Sequence, residues 1–410
     1  MLYTKKDVLD YIEEDDVKFI RLAFCDVFGS QKNISILPSE LPKAFDKGIS
    51  FDASLISGFE EEGENDLFLF PDPETIAVLP WRPSHGKVVR LFCDIKKADG
   101  VPYEADGRKI LKDAVKKAEN TGIYCDIGSE FEFYLFNTDE NGQKTDVPID
   151  NAGYLDIAPK DKGENIRREI CLTLEQMGIQ PISSRHKAGP GQNEIDFTYS
   201  SPLAAADNAT TFKSAVSTIA SMNGAYASFR PKPLKNTPGN GLYINISLKS
   251  NGGQNSKEQF AAGILNRIKE ITAFLNSTSE SYLRLGEKGA PNVVTWSAKN
   301  KSRLIRVRFD KDGTGQFKLR SADPYANPYL AYALLIHAGI AGTEKSEKLP
   351  PSADDYEIQS RETNKLQNEE KLPSTFEEAL SLAKKSDFVK EILPESIIET
   401  YIKLKDSSET

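Results

Sequence analysis

The chain has 410 residues, enough for a full-sized core and two domains. It carries 52 basic against 61 acidic side chains, a formal net charge of −9, which argues against a nucleic-acid binder because such a protein presents a basic face. No apolar run reaches the roughly 20 residues of a membrane span, and the N-terminus lacks the apolar core of a signal peptide, so a cytoplasmic protein is expected.

The first hundred residues read as short strands and turns. Strands are expected at Val17–Val27, Lys32–Ile36, Thr75–Leu79 and Lys87–Ile95, with a turn at Phe28-Gly29-Ser30. The acidic run from Glu60 to Asp66 reads as a solvated loop, and Asp99-Gly100 punctuates a boundary. The domains are expected at 1–98 and 104–410. From Ala105 helical stretches alternate with strands, the helices at about 107–121, 164–177, 205–225, 257–277 and 326–342. In the second of these, Ile166, Ile170 and Leu174 mark one face and Gly178 is a natural stop. The stretch from about 345 to 410 is polar and helical, broken at Lys-Leu-Pro. Cys25, Cys93, Cys125 and Cys171 show no Cys-x-x-Cys spacing and read as reduced, buried thiols. With only His85, His186 and His337, a histidine-rich metal site is excluded; His186 reads as a surface residue or one standing behind a site.

Chemistry enters at Gly128-Ser-Glu-Phe-Glu-Phe-Tyr-Leu-Phe136. The alternation predicts a strand with Phe131, Phe133 and Leu135 on one face, so Glu130 and Glu132 share the other, roughly 7 Å apart. Two carboxylates side by side repel unless a cation stands beside them, either a hard metal such as Mg²⁺ or basic side chains. Ile195–Tyr199 also reads as a strand. In Leu242-Tyr-Ile-Asn-Ile-Ser-Leu248, Leu242, Ile244, Ile246 and Leu248 point one way and Tyr243, Asn245 and Ser247 the other. Such a polar stripe on a buried strand reads as the lining of a site.

Several segments, in order and over nearly the whole chain, resemble the type I glutamine synthetases of bacteria. They include Phe51-Asp-Ala-Ser-Leu-Ile-Ser-Gly-Phe59, Gly128–Phe136, Gly153-Tyr-Leu-Asp-Ile-Ala-Pro159 and Gly163-Glu-Asn-Ile-Arg-Arg168. Pro190-Gly-Gln-Asn-Glu-Ile-Asp-Phe197, Trp296-Ser-Ala-Lys-Asn-Lys-Ser302 and Asp323-Pro-Tyr-Ala-Asn-Pro-Tyr-Leu330 follow. The resemblance implies an α+β fold: a small N-terminal β-grasp domain and a larger catalytic domain on an antiparallel sheet backed by helices. It implies a ring of subunits with the site between neighbours, and ATP-dependent amidation of glutamate by ammonia assisted by Mg²⁺. By the same resemblance Asp52 and Ser54 match the ammonium-site loop. Arg284 and Arg320 match arginines that hold substrate carboxylate and phosphate, Arg306 the γ-phosphate arginine and Ser247 an ATP-contacting serine. Lys301 replaces a substrate-side arginine and loses its bidentate fork.

The resemblance breaks at the metal cage. Glu132 and Glu194 match two ligands of one cation, but Lys187 stands at the third. Glu130 matches a ligand of the other, while Tyr243 and Lys318 stand where the family has histidine and glutamate. An ammonium has no lone pair for a metal. One lysine per site preserves the charge that the family reaches with a metal bound, so each ammonium is expected where a cation would sit, paired with the remaining glutamates. The family's flap glutamate is also absent: Arg284-Leu-Gly-Glu-Lys-Gly-Ala-Pro291 is one residue shorter, with Gly289 before Ala-Pro and Glu287 nearby. The loop Thr237-Pro-Gly-Asn-Gly241 departs from the family's glutamate-contacting turn, and the tail is shorter than usual, which bears on the clasp between rings.

The expectation is a catalytically impaired or inactive paralogue of nitrogen metabolism, regulatory or ligand-binding. It would take glutamate, a related molecule or ATP, form a homo-oligomer, or co-assemble with an authentic glutamine synthetase. An active glutamate–ammonia or glutamate–amine ligase, or a ligase using one cation, remains open.

Overall fold

The structure is a computed structural model describing residues 3–59, 66–82, 85–250, 253–300, 302–309, 315–354 and 370–407. Lys301 and most of the acidic run at 60–66 lie outside the described residues.

The smaller domain carries β1 (Val17–Cys25), β2 (Gln31–Ile36), β3 (Ile49–Asp52), β4 (Asp66–Pro71), β5 (Ala77–Val78) and β6 (Lys87–Lys96). Its sheet runs β2-β1-β6-β4-β3, with β5 also on β6, and only the β1–β6 pairing is parallel. Two helices lie in this region that the strand-and-turn reading did not include: α1 (Lys5–Glu14) and α2 (Leu41–Lys47). The first is opened by a capping box in which Thr4 and Asp7 satisfy each other's backbone N–H groups.

The larger domain contains α3 (Gly107–Asn120), β7 (Ile123–Thr138), β8 (Lys144–Pro148), α4 (Glu164–Gln176), β9 (Pro181–His186), β10 (Gln192–Phe197) and α5 (Pro202–Met222). It continues through β11 (Ala225–Ser228), β12 (Leu242–Ser250), α6 (Gly253–Leu275), α7 (Ser279–Arg284), β13 (Trp296–Ser297), β14 (Ile305–Phe309), β15 (Gly315–Leu319) and α8 (Pro328–Glu344). The expected helices are present with ends moved by a few residues. After them, helices at Phe376–Lys385, Asp387–Ile392 and Glu395–Ser407 bear out the helical tail. The sheet order is β13-β14-β15-β12-β7-β10-β9, with β8 and β11 also on β7. It is antiparallel except where β13 meets β14.

This sheet is two-faced because its strands alternate. Phe131, Phe133, Ile195, Leu242, Ile244 and Ile246 are buried on one side, where Phe131 packs on Phe212 of α5 with ring centroids 5.0 Å apart. The opposite side carries the polar residues. No helix among the described residues is long and apolar enough to cross a membrane. Of the four free cysteines only Cys93 is fully buried; the other three are partly exposed, short of the full burial expected.

Buried polar links join the domains. Arg108, 4% exposed at the start of α3, donates to Asp94 (2.7 Å) and Asp72 (2.8 Å) of the smaller domain and to Asp207 of α5 (3.1 and 3.3 Å). Asp106, just before it, caps α3 through the Arg108 N–H, and burial together with the Asp94 charge pushes its carboxyl up to about 7.

Candidate functional site: a charged sheet face with lysines among the glutamates

Register brings the polar residues together. Glu132 lies opposite Glu194 and Glu130 opposite Asp196 across the β7–β10 ladder. On its other side Glu130 pairs with Tyr243 of β12, and Asn245 of β12 pairs with Lys318 of β15. Arg306 of β14 is opposite Lys318. One face therefore collects carboxylates around β7 and β10 and cations around β14 and β15.

Both lysines point inward. Lys187, just past β9, places its ammonium 2.9 Å from Glu132 Oε1 and 2.6 Å from Glu194 Oε2. Burial works against that charge, but Glu132 and Glu194 outweigh it and hold the Lys187 pKa well above its ordinary value. Arg185 pairs with Glu194 and, at 3.2 Å, with Asp196. Burial raises the Glu132 carboxyl more than Lys187 lowers it; burial also pushes Glu194 up, yet Lys187 and Arg185 together keep it below the ordinary range. Lys318 forms a close ion pair with Glu130, which also accepts from Asn245 Nδ2 at 3.0 Å.

Tyr243 stands between the two lysine sites. Its single hydroxyl proton is shared between two acceptors, Glu132 Oε1 (3.4 Å) and the Gly289 carbonyl (3.2 Å), while Lys318 and Arg320 lie over its ring, 5.1 and 4.6 Å from the centroid. Burial and the Glu132 charge push the phenol well above its ordinary value, so it stays a protonated donor. The Gly241 N–H gives Glu132 another bond at 2.7 Å.

The loop after α7 is tied down on both sides. Glu287 accepts two 2.5 Å bonds from Lys232, which also donates to the Thr237 carbonyl at 2.7 Å, and Gly289 meets Tyr243. Glu287 is thus engaged with Lys232 rather than held free over the face.

Other expected residues are placed differently. Arg284 is buried with Nη2 donating to the carbonyls of Ser321 and, at 2.8 Å, Ala322, and a Cβ on Gly239 would meet its Cγ at 2.6 Å. Its Nη2 is engaged with backbone, while its buried Nε has no hydrogen-bond partner among the described residues. Asp52 and Ser54 are exposed at the end of β3, where the Asp52 carboxylate accepts the Ser54 N–H (3.0 Å) and hydroxyl (2.6 Å). No hydrogen bond among the described residues links them to the cage. Arg306 is held below its ordinary pKa by partial burial and by the neighbouring guanidiniums of Arg308 and Arg320. Ser247 lies on the same face, opposite Gln316.

The donor set can be tested for fit to divalent cations. Among the described residues two acidic groups bring three ligand atoms within 4.8 Å: Glu130, Glu194 and Asp196, and Asp150, Asp161 and His186. In the first, each carboxylate has a basic partner, Lys318, Lys187 or Arg185. In the second, Asp161 is bidentate with Arg167, and both nitrogens of His186 are bonded, to Asp150 (3.1 Å) and to the Lys187 carbonyl (2.7 Å). With Lys187 and Lys318 already paired to these glutamates and the protonated Tyr243 phenol between them, these residues do not fit a pair of divalent ions.

His186 is 1% exposed, so it is not a surface residue; it stands behind Lys187 and bonds to its carbonyl. Burial disfavours its charge, but Asp150 and that carbonyl outweigh burial and raise its pKa. Burial opposes the Asp150 charge too, yet His186 and the N–H groups of Ala152, Gly191 and Lys162 bring it down to about 2. The raised histidine stabilises below its unfolded value of about 6.5 and loses that contribution as pH climbs through the folded value; the lowered aspartate loses its contribution as pH falls from about 4 toward 2. His186→Asn is therefore expected to lower the melting temperature more at pH 5.5 than at pH 8.5. Equal losses at the two pH values would contradict the ion pair.

What the fold and face define is a two-domain α+β protein whose antiparallel sheet presents one charged face. Comparison with known proteins makes this specific. The family model described as "Glutamine synthetase, catalytic domain" matches residues 104–410, and the one described as "Glutamine synthetase, beta-Grasp domain" matches 16–98. Glutamine synthetase of Clostridium saccharobutylicum is 41% identical over 419 residues, covering 98% of this chain and 94% of the relative; that of Staphylococcus aureus strain Mu50 is 40% identical over 420 with the same coverage. A cryo-EM structure of Plasmodium falciparum glutamine synthetase superposes with a TM-score of 0.86 at 24% identity, covering all of this chain and 96% of that one. An apo GmaS without ligand gives 0.86 at 25%, covering 98% and 95%. The chain belongs to the glutamine synthetase family.

Proposed function

We propose that this chain is a ligand-binding or regulatory member of the glutamine synthetase family in nitrogen metabolism, impaired or inactive as a two-metal ligase. The observation that supports this reading is the pair of ammonium groups among the glutamates, Lys187 against Glu132 and Glu194, and Lys318 against Glu130. Phosphoryl transfer needs charge neutralised where it develops, by groups free to reach the transferring oxygens. Ammonium groups already engaged with carboxylates supply much less of this. Gly289 at the flap position and Glu287 tied to Lys232 take away the general base as well.

The remaining cations, Arg306 and Arg320 with Lys301, suit a carboxylate- or phosphate-bearing ligand, glutamate or a related molecule, or ATP near Ser247. Among the described residues Asp52 and Ser54 bond to each other and not to the charged face, which supports a site completed by a neighbouring subunit. A homo-oligomeric ring and a mixed assembly with an authentic glutamine synthetase both meet that need.

An active glutamate–ammonia or glutamate–amine ligase is the second reading. It is favoured by the names and near-complete coverage of the relatives, and these comparisons support it better than the first reading. Glutamine formation from ATP, glutamate and ammonium, with Mg²⁺ or Mn²⁺ at millimolar concentration, separates the two. The first reading expects no glutamine or phosphate above the blank; metal-dependent glutamine at several turnovers per minute would overturn it.

A further inference from the structure

We propose that a cavity between the first turn of the smaller domain and α5 binds a small organic carboxylate, with Lys213 as its anion receptor. This goes beyond the function proposed above and does not depend on it. The cavity measures about 590 Å³, within the roughly 300–1,000 Å³ of ordinary small-molecule sites. It is separate from the charged face: Phe229, in its wall, packs on Phe131 and Phe133, which point away from Glu130 and Glu132.

Among the described residues Lys213 is the only ionic side chain lining it. An ammonium has three protons to place, yet among the described residues its hydrogen bond is to the Pro324 carbonyl at 3.4 Å. The nearby carboxylates are committed elsewhere. Asp26 accepts the N–H groups of Phe28 (3.0 Å) and Ser30 (2.9 Å) and pairs with Lys32 at 3.4 Å; Asp323 accepts the Tyr325 N–H at 3.0 Å. Burial lowers the Lys213 pKa, with only partial relief from Cys25, Asp26 and Asp323. A half-buried cation with one long bond favours an incoming anion.

Two features narrow the class. The Oε1 of Gln31, in the same wall, is buried without a donor among the described residues, so a ligand carrying a hydrogen-bond donor besides its carboxylate would satisfy it. The rings of Phe28, Phe229 and Tyr325 supply an apolar wall. A carboxylate with a compact, partly apolar body and a hydroxyl or amino group meets these demands, and the volume is far more than a single inorganic ion fills.

Thermal-shift titrations of the full chain with 4-hydroxybenzoate, L-serine and inorganic phosphate test this. At least one carboxylate is expected to raise the melting temperature saturably in the wild type and in Lys213→Arg, and to bind at least tenfold more weakly to Lys213→Met. Ser214→Phe, which fills the cavity while keeping the charge, is expected to abolish the shift and guards against a Lys213→Met variant that does not fold. Silence from all three probes overturns the proposal, as does a response to phosphate alone or equal shifts in the wild type and either blocking variant.

Discussion

Wild-type protein is expected to bind no Mn²⁺ at millimolar metal in an electron paramagnetic resonance titration, whereas Lys187→Glu/Tyr243→His/Lys318→Glu binds it and melts higher in its presence. In metal-free buffer the triple variant should melt lower than the wild type, because a third carboxylate then joins Glu132 and Glu194 and another joins Glu130 with no cation between them. Adding metal reverses the order of effects: a ligand at 100 times its Kd stabilises by about 2.7 kcal/mol per site, a shift of several degrees. If the variant gained nothing from Mn²⁺, the two ammonium groups would not occupy cation positions. Tight Mn²⁺ sites in the wild type would also defeat the reading and would favour the ligase.

The second large effect is expected far from that face. Arg108→Met leaves Asp72, Asp94 and Asp207 without their shared guanidinium in a largely buried joint. Removing one partner from such a network costs about 3–5 kcal/mol, because the carboxylates stay desolvated and repel one another. Lys112, 2.6 Å from Asp94, and Tyr329, 2.6 Å from Asp207, soften the loss without replacing the fork. Protonation relieves the repulsion among carboxylates left without the guanidinium, so the deficit of the variant should shrink as pH falls from 8 to 5. Denaturant unfolding at the two pH values checks this; a loss under about 1 kcal/mol would mean that the joint is not held by charge.

The charged face was largely legible because strand alternation is a local rule. Period two put Glu130 and Glu132 on one side and predicted the Tyr243, Asn245 and Ser247 stripe, and the structure sets these strands side by side in register. The need of two carboxylates for a cation left metal and basic residues open; among the described residues Lys187 and Lys318 stand beside them. What stayed hidden depends on partners far away in the chain. Arg108 finds Asp207 across 99 residues and Lys232 finds Glu287 across 55, and no spacing announces either. Arg284 matches a family motif, but whether its side chain reaches a substrate or a backbone carbonyl depends on the packing around Gly239. The helix at Lys5–Glu14 did carry a local sign, Thr4 three residues before Asp7, in a segment short enough to pass for a turn.

The lysines also change what the site responds to. A bound metal obeys mass action, so its occupancy follows the free ion and falls when a chelator or a competing protein takes it. Lys187 and Lys318 are joined to the backbone, and each ammonium is presented to its glutamates at a high, fixed effective concentration that no dilution lowers. On the proposed reading such a site has no depleted state, and its charge balance does not follow the ionic supply of the cell.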